Sequence, residues 1–426
     1  MEVKEKNNIG SYLLITAIYI LSTIFALIKN VSIKEVMENY QYNVLIILIV
    51  MELFTNLISS TGIMEKLAIK MATISKGNKK LILILFGFLM FFISAFLNNI
   101  TAVMMILPII FVLLKAIGID RKYLNIFFAV ILALSNTGGA SSPIGDFPAI
   151  VIMNSGITTF LGYLLRAFPI FLVTSVLLIL WWSLKVKNDM DMSAMSQKKL
   201  SIDLLKSRYK NLKVNKSVLI GLLLIFLLMF LAWSFVPQEI VPPEIIAVLG
   251  YAIAMFFCKI KKVKILQNID FKPILTISSF LFLAGIVSET GILGNIAEGM
   301  QNSIKNPKYL LIAIMIITSI VSGLFGAGPA ASAMMPVIIK LCLTTFSAQS
   351  DWVAIAYAAS ICAGSSLFMW SATAGFILSK EINSTNLVDN INVKPLKWNI
   401  SDYFKYGIQN YIIQLFLAII VIFIVL

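Results

Sequence analysis

The chain has 426 residues, 59% of them hydrophobic and only 13% charged, against about 25% charged in a soluble domain. Its net charge of +14 is dispersed over short segments between apolar runs, which excludes a nucleic-acid-binding surface and fits the positive-inside pattern of a membrane protein. With no histidine, the chain has neither a histidine proton relay nor a histidine metal site.

Apolar runs recur from end to end, each long enough to cross about 30 Å of hydrocarbon. A first span is expected at 11–28. No small-residue cleavage site follows it, so it is not a secretory signal. A second span follows at 41–60, then a shallow amphipathic connector at 61–80. An apolar hairpin at 81–116 turns at 97–101. A broken span comes next, with arms at 124–138 and 149–160, and a span at 167–184 closes the first half. The polar linker 185–216 is the most basic segment and is placed in the cytoplasm. Spans at 217–235 and 243–258 are joined by an outside segment carrying Glu239. A span at 273–290, a connector at 291–308, a second hairpin at 309–345, a second broken span at 352–380 and a final span at 405–426 complete the chain. Cys258, Cys342 and Cys362 sit in apolar stretches without metal-ligand spacing and are expected to be buried structural thiols.

Charge tests this topology. If both hairpins enter and leave on one side, all 34 lysines and arginines fall in cytoplasmic segments except Lys29, Lys34, Arg166, Lys305, Lys308 and Lys340. The asymmetry favours re-entrant hairpins, a cytoplasmic N-terminus and a C-terminus outside.

The halves share landmarks. Ser59-Ser60-Thr61-Gly62-Ile63 resembles Ser288-Glu289-Thr290-Gly291-Ile292. Ser94-Ala95-Phe96-Leu97 lines up with Ser322-Gly323-Leu324-Phe325, and Gly138-Gly139-Ala140-Ser141 with Ala363-Gly364-Ser365-Ser366. The separations (62 to 291, 94 to 322, 138 to 363) are nearly constant, which points to two repeats, and the charge asymmetry starts the first inside and the second outside, so the repeats are inverted. The expected organisation is a first transmembrane repeat at 1–184, the linker at 185–216 and an inverted repeat at 217–426. The fold class is an all-α polytopic membrane protein with a re-entrant hairpin and a broken helix in each repeat.

The breaks carry the chemistry, because irregular backbone at membrane depth must line protein or water. One is the hairpin tip Asn98-Asn99-Ile100-Thr101. The other runs from Ser135 to Pro148 and contains three glycines, two prolines and Asp146. Freed carbonyls with Asn and Ser/Thr oxygens suit a hard cation such as sodium, whereas exposed helix N-termini suit an anion. The candidate cation ligands are Asn98, Asn99, Thr101, Asn136, Gly138 and Asp146. A helix N-cap is the alternative role for Asp146. The solute-facing candidates are Gly139, Ser141, Ser142, Pro143, Gly145, Gly328, Pro329, Ser365, Ser366 and Thr373. Glu52 lies mid-span and is either a proton site shared with Asp146 or a polar contact to a neighbour. Glu289 reads as a local cap and Arg166 as an interfacial anchor. The second hairpin tip, Phe325-Gly326-Ala327-Gly328-Pro329-Ala330, has no Asn, and the second break has no carboxylate. One strong cation site is therefore expected in the first half and a weaker, backbone site in the second.

At these residues the chain resembles the ion transporter superfamily, which includes arsenite-permease-like proteins, pink-eyed-dilution-type permeases, sodium/proton antiporters and divalent-anion/sodium symporters. The most specific stretch is Gly138-Gly139-Ala140-Ser141-Ser142-Pro143-Ile144-Gly145-Asp146-Phe147-Pro148. It is similar to the family signature of a Gly-Gly pair followed by Thr/Ser-Pro-Ile-Gly-Asp-Pro-Pro-Asn, with Phe147 in place of a proline and Ala149 in the Asn position. Asn98-Asn99-Ile100-Thr101 is similar to the Asn-Thr tip that helps coordinate sodium in the symporters. The resemblance implies a homodimer and an elevator-like movement of a transport part against a scaffold.

The leading expectation is a secondary transporter, not an enzyme, coupling sodium or protons to a small inorganic or organic anion. It needs no cofactor and no metal beyond the transported or coupling ion. Its partners are the solute, the lipid bilayer and a second copy, with no nucleic acid. A sodium/proton antiporter, an arsenite or anion efflux permease and a passive channel are the alternatives. Lys-, Asn- and Ile-rich usage suggests an AT-rich bacterial genome and hence a bacterial cytoplasmic membrane.

Overall fold

The computed structural model describes residues 2–38, 40–186, 207, 214–238, 240–257, 271–385, 387–388 and 395–425. Among them are eighteen helices and no strand, with one isolated bridge between Val388 and Pro395. Most of the basic linker, and Glu239 and Cys258, lie outside the described residues.

The scaffold of the first half begins with α1 (Glu2–Ile28), a short α2 (Ile33–Glu38), α3 (Tyr42–Ser59) and the connector α4 (Ile63–Ser75). The hairpin is α5 (Lys79–Ser94) and α6 (Asn99–Ile117). The broken span is α7 (Arg121–Ala140) and α8 (Phe147–Asn154), and α9 (Phe160–Lys185) closes the half. Then come α10 (Lys216–Phe235), α11 (Pro243–Phe257), α12 (Phe271–Glu289) and the connector α13 (Ile292–Ser303). The second hairpin is α14 (Pro307–Phe325) and α15 (Ala327–Thr344). The second broken span is α16 (Ser350–Ser365) and α17 (Gly375–Ser384), and α18 (Ile400–Val425) ends the chain.

Eight of these helices are long and apolar enough to cross a membrane: α3, α6, α7, α9, α10, α14, α15 and α18. They differ in depth within the bundle. All of the apolar window of α7 is buried, against 22% of that of α10 or α18. α7 is therefore the central helix of the bundle, although it is among the least apolar of the eight.

Packing follows one scheme in both halves. The first hairpin arm lies along the broken helix, α5 on α7 and α14 on α16. The connectors support the hairpins, α4 on α6 and α13 on α15, while α3 packs on α11 and α12 on α1. Each closing helix also touches the other half's broken helix, α9 on α16 and α18 on α7. Local geometry repeats as well. Gly62 and Gly291 both take left-handed backbone, φ 76° and 72°, at the start of a connector, where a residue with a Cβ is strained. The preceding threonines donate alike, Thr61 Oγ1 to Ile58 O and Thr290 Oγ1 to Val287 O, each at 2.6 Å.

The glycine pair at 138–139 does not end the helix, as the sequence led us to expect; α7 runs through it to Ala140. The reason is packing. A Cβ on Gly138 would stand 2.4 Å from the carbonyl oxygen of Phe91, and one on Gly364 would stand 2.1 Å from that of Ser319. These glycines let the hairpin arm lie directly on the broken helix. The chain leaves the helix only at 141–146, where Pro143 interrupts it, and re-enters with Asp146 as N-cap and Pro148 in the first turn of α8.

Candidate functional site

The first hairpin tip meets the first break at the middle of the bundle. Asn98 caps α6, its Oδ1 accepting from Ile100 N at 2.9 Å. Asn99 is fully buried, and its Nδ2 donates to Asp146 Oδ2 at 2.8 Å. Asp146 caps α8, its Oδ1 accepting from Phe147 N at 2.9 Å. The N-cap role and a role at the tip are therefore both real, one oxygen for each. Thr101 Oγ1 donates to Glu52 Oε1 at 3.2 Å, which brings the mid-span carboxylate of α3 to the same place. A small cavity is lined by Glu52, Asn98, Gly145 and Asp146 among apolar neighbours.

One atom at this junction is left over. Asn99 Oδ1 is buried and has no hydrogen-bond partner. A buried acceptor without a donor is costly, typically about 1–3 kcal/mol, and a bound cation relieves that cost. Gly139 keeps this space open, since a Cβ there would sit 2.8 Å from Asn99 Oδ1 and from the Asp146 side chain.

A second small cavity lies on the other face of Asp146, lined by Asn136, Asp146, Pro148, Ala327, Cys362 and Ser365. It joins the halves. Asn136 Nδ2 reaches Ser366 Oγ at 3.5 Å, and Gln414 Nε2 donates to the same oxygen at 3.0 Å. Neither cavity lining contains a lysine or arginine.

The serines are used otherwise than their hydroxyls alone suggest. Ser141 donates to Gly138 O at 2.6 Å, Ser142 to Ala95 O, and Ser365 to Cys362 O at 2.9 Å. Each proton goes to a backbone carbonyl, three residues back for Ser141 and Ser365 and across to the hairpin for Ser142, so what remains on these oxygens is lone pairs, which suit a cation. The helix ends at the second break differ from those at the first. Neither Gly326, the N-cap of α15, nor Ala374, the N-cap of α17, supplies a side-chain cap. The α15 end points at the first break, where a Cβ on Gly328 would lie 3.3 Å from the Phe147 ring. Pro329 follows in the same turn, and Thr373 is half-buried in the second break.

Four residues of the site escape a reading of the breaks alone. Tyr163 Oη donates to Ala140 O at 2.8 Å and Tyr403 Oη to Ser366 O at 2.7 Å, so each closing helix caps a carbonyl at a break. Asn410 accepts from Trp182 Nε1 at 2.8 Å, and Gln414 lies one turn on. The available signal was two carboxamides four residues apart in an apolar span. Arg166, expected as an interfacial anchor, pairs with Asp351 at 2.9 Å and ties α9 to α16. Cys342 and Cys362 are buried free thiols.

The sequence profile of the citrate transporter family (CitMHS) matches residues 8–362. An uncharacterized transporter of Mycobacterium tuberculosis is 23% identical over 304 residues, 70% of this chain and 68% of that protein. The magnetosome protein MamN of Paramagnetospirillum magneticum is 24% identical over 345 residues, 80% of this chain and 76% of its own. The human P protein is 27% identical over 173 residues, 37% of this chain and 20% of its own. These kinships bear out the resemblance to the ion transporter superfamily. The match covers most of the spans and both hairpins, so the chain is a multi-pass membrane transporter, not an enzyme, and belongs to the citrate transporter family.

Proposed function

We propose that the protein is a cation-coupled carrier of a small anion, organic acids such as citrate first among them. Asn98, Asn99, Thr101, Asn136, Gly138 and Asp146 form the cation site. The N-termini of α15 and α17 lack a side-chain cap; Ala327 N and Gly375 N already donate to backbone carbonyls, and the N–H groups beyond them supply the anion's hydrogen bonds. The observation that carries this reading is the orphaned Asn99 Oδ1 beside the Asp146 carboxylate. Because no basic side chain lines either cavity, the anion's charge is balanced by helix ends and by the bound cation. Coupling then follows from electrostatics: an empty cation site repels the anion through Asp146.

The paired landmarks and matched packing support two inverted repeats, and the tip buried against the broken helix supports re-entrant hairpins. Alternating access by an elevator movement, a homodimer, a cytoplasmic N-terminus and a place in a bacterial cytoplasmic membrane belong to the same proposal.

Thermal stability of the purified protein tests it. Sodium should stabilise, by about 2.7 kcal/mol at a hundred times its Kd, and citrate or another anion should stabilise further only with sodium present. Asn98→Ala should abolish transport while leaving membrane insertion intact; retained transport would sink the assignment of the tip. A sodium/proton antiporter is the second reading, favoured by Glu52 and Asp146 facing one cavity with no base. In that case sodium stabilises only as pH rises, and no anion matters.

A further inference from the structure

The two broken helices differ in how their second arms meet the scaffold. In the first half, α8 packs on α3, and Asn43 Nδ2 donates to Asn154 Oδ1 at 2.9 Å. The space between α8, α3 and the α10–α11 joint is shut to about 10 Å³ by Ile47, Pro143, Ile144, Ile150, Phe160 and Trp233. In the second half, α17 makes no comparable packing on α12 among the described residues. An open cavity of about 810 Å³ lies instead against the second break, α17 and the start of α18, lined by Phe368, Trp370, Phe376, Asn399, Ser401 and Phe404 and by no residue of α12. Position by position after the N-cap, Pro148 of α8 is buried, whereas Phe376 of α17 is 59% exposed.

The floor of this cavity is a stack of three rings. Phe368 lies on Trp370 at 4.3 Å and 6°, and on Phe404 at 5.4 Å and 11°. Trp370 Nε1 donates to Leu324 O, which ties the stack to the second hairpin tip. Phe368 stands three residues after Ser365, which lines the Asp146 cavity. The mouth is polar, with Ser379, Asn399 and Ser401. In sequence it is flanked by Lys380, Lys397 and Lys405, against Glu381 and an Asp402 held by Arg121 at 2.7 Å.

We propose that this cavity is the water-filled entrance to the transport site from the end of the bundle bearing Arg121 and Asp402. It is open in this conformation, while its counterpart beneath α8 is closed. The stack Trp370–Phe368–Phe404 is the gate between the entrance and the Asp146 cavity. The inference rests on placing the transport site at the breaks. Its route is an asymmetry of packing, independent of which ion or solute is carried.

Labelling with a membrane-impermeant maleimide tests it without any transported solute. Phe376→Cys lies near mid-membrane and reacts only if water reaches it. Asn302→Cys, exposed in the last turn of α13 at the opposite end, marks the other side. Ser401→Cys at the mouth is a second reporter, independent of the gate. The unmodified chain is the blank. In sealed vesicles Phe376→Cys and Ser401→Cys should label from one side and Asn302→Cys from the other. Ala149→Cys, buried under the closed counterpart, should label about tenfold slower or not at all. No labelling at Phe376→Cys with normal labelling at Ser401→Cys would mean a lipid-filled groove and overturn the proposal. Labelling from the Asn302→Cys side would overturn it too, as would equal rates at Phe376→Cys and Ala149→Cys. If labelling succeeds and sodium fails to stabilise, the cation site falls and the entrance stands.

Discussion

At the first break Asn98 caps α6 and Asp146 caps α8; at the second, the same two positions are Gly326 and Ala374. The carbonyl packing behind them is alike, with Gly138 against Phe91 and Gly364 against Ser319. One architecture thus carries two chemistries. Where a side-chain oxygen caps the helix, the site offers negative charge and lone pairs. Where glycine and alanine supply no side-chain cap, the first N–H of each helix turns to a backbone carbonyl, Ala327 N to Ser371 O and Gly375 N to Ala372 O, and the following turn keeps the positive end of the dipole. A carrier that must hold a cation and an anion side by side gains from this division, and it needs no lysine or arginine in the membrane.

The largest effect should come from removing the difference. Asp146→Ala deletes the cap of α8, the partner of Asn99 and the charge of the site. Uptake into proteoliposomes should fall to background and sodium should no longer raise the melting temperature, whereas Thr373→Ala in the second break should keep sodium's effect. Equal loss in both variants would break the comparison.

Substitutions at the shared packing should hurt both halves. Gly138→Ala and Gly364→Ala each drive a Cβ into a carbonyl, and overpacking of this kind costs about 1–3 kcal/mol. Melting of the two variants in detergent should drop by similar amounts; a drop in one alone would mean the arms are not packed alike. A smaller effect is expected at the bridge between the breaks. Gln414→Leu removes a bond to Ser366, and a buried side-chain hydrogen bond in a membrane protein averages about 0.6 kcal/mol. A double-mutant cycle with Asn136→Ala should show coupling through Ser366. The smallest effect belongs to the end clamps. Arg121 is 60% exposed in its pair with Asp402, so Arg121→Gln should cost no more than about 1 kcal/mol.

Much of the plan was legible in advance because membrane spans announce themselves by length and hydropathy. The hairpin arms, both breaks and the polar tip at Asn98–Asn99 fall within a few residues of the expected places. The boundary errors have a common cause. Gly138 and Gly139 were taken for helix breakers, and they are contact points that keep the helix whole. The hydroxyl protons of Ser141 and Ser365 go to carbonyls three residues back and that of Ser142 crosses to Ala95 of the hairpin, partners that residue type alone does not name. Composition names a residue's capacities; its neighbours decide which one is used.

The sequence by itself determined an all-helical membrane protein, the positions of two breaks and the asymmetry of charge between them, since those follow from local hydropathy and residue type. Only the tertiary structure decided which oxygens remain free. It left Asn99 Oδ1 without a donor, brought Glu52 to Thr101, and linked Asn136 to Gln414 through Ser366. It also packed α8 on α3 and left α17 without comparable packing on α12 among the described residues. These outcomes depend on contacts between segments tens to hundreds of residues apart, where packing geometry selects among partners that local sequence leaves equivalent.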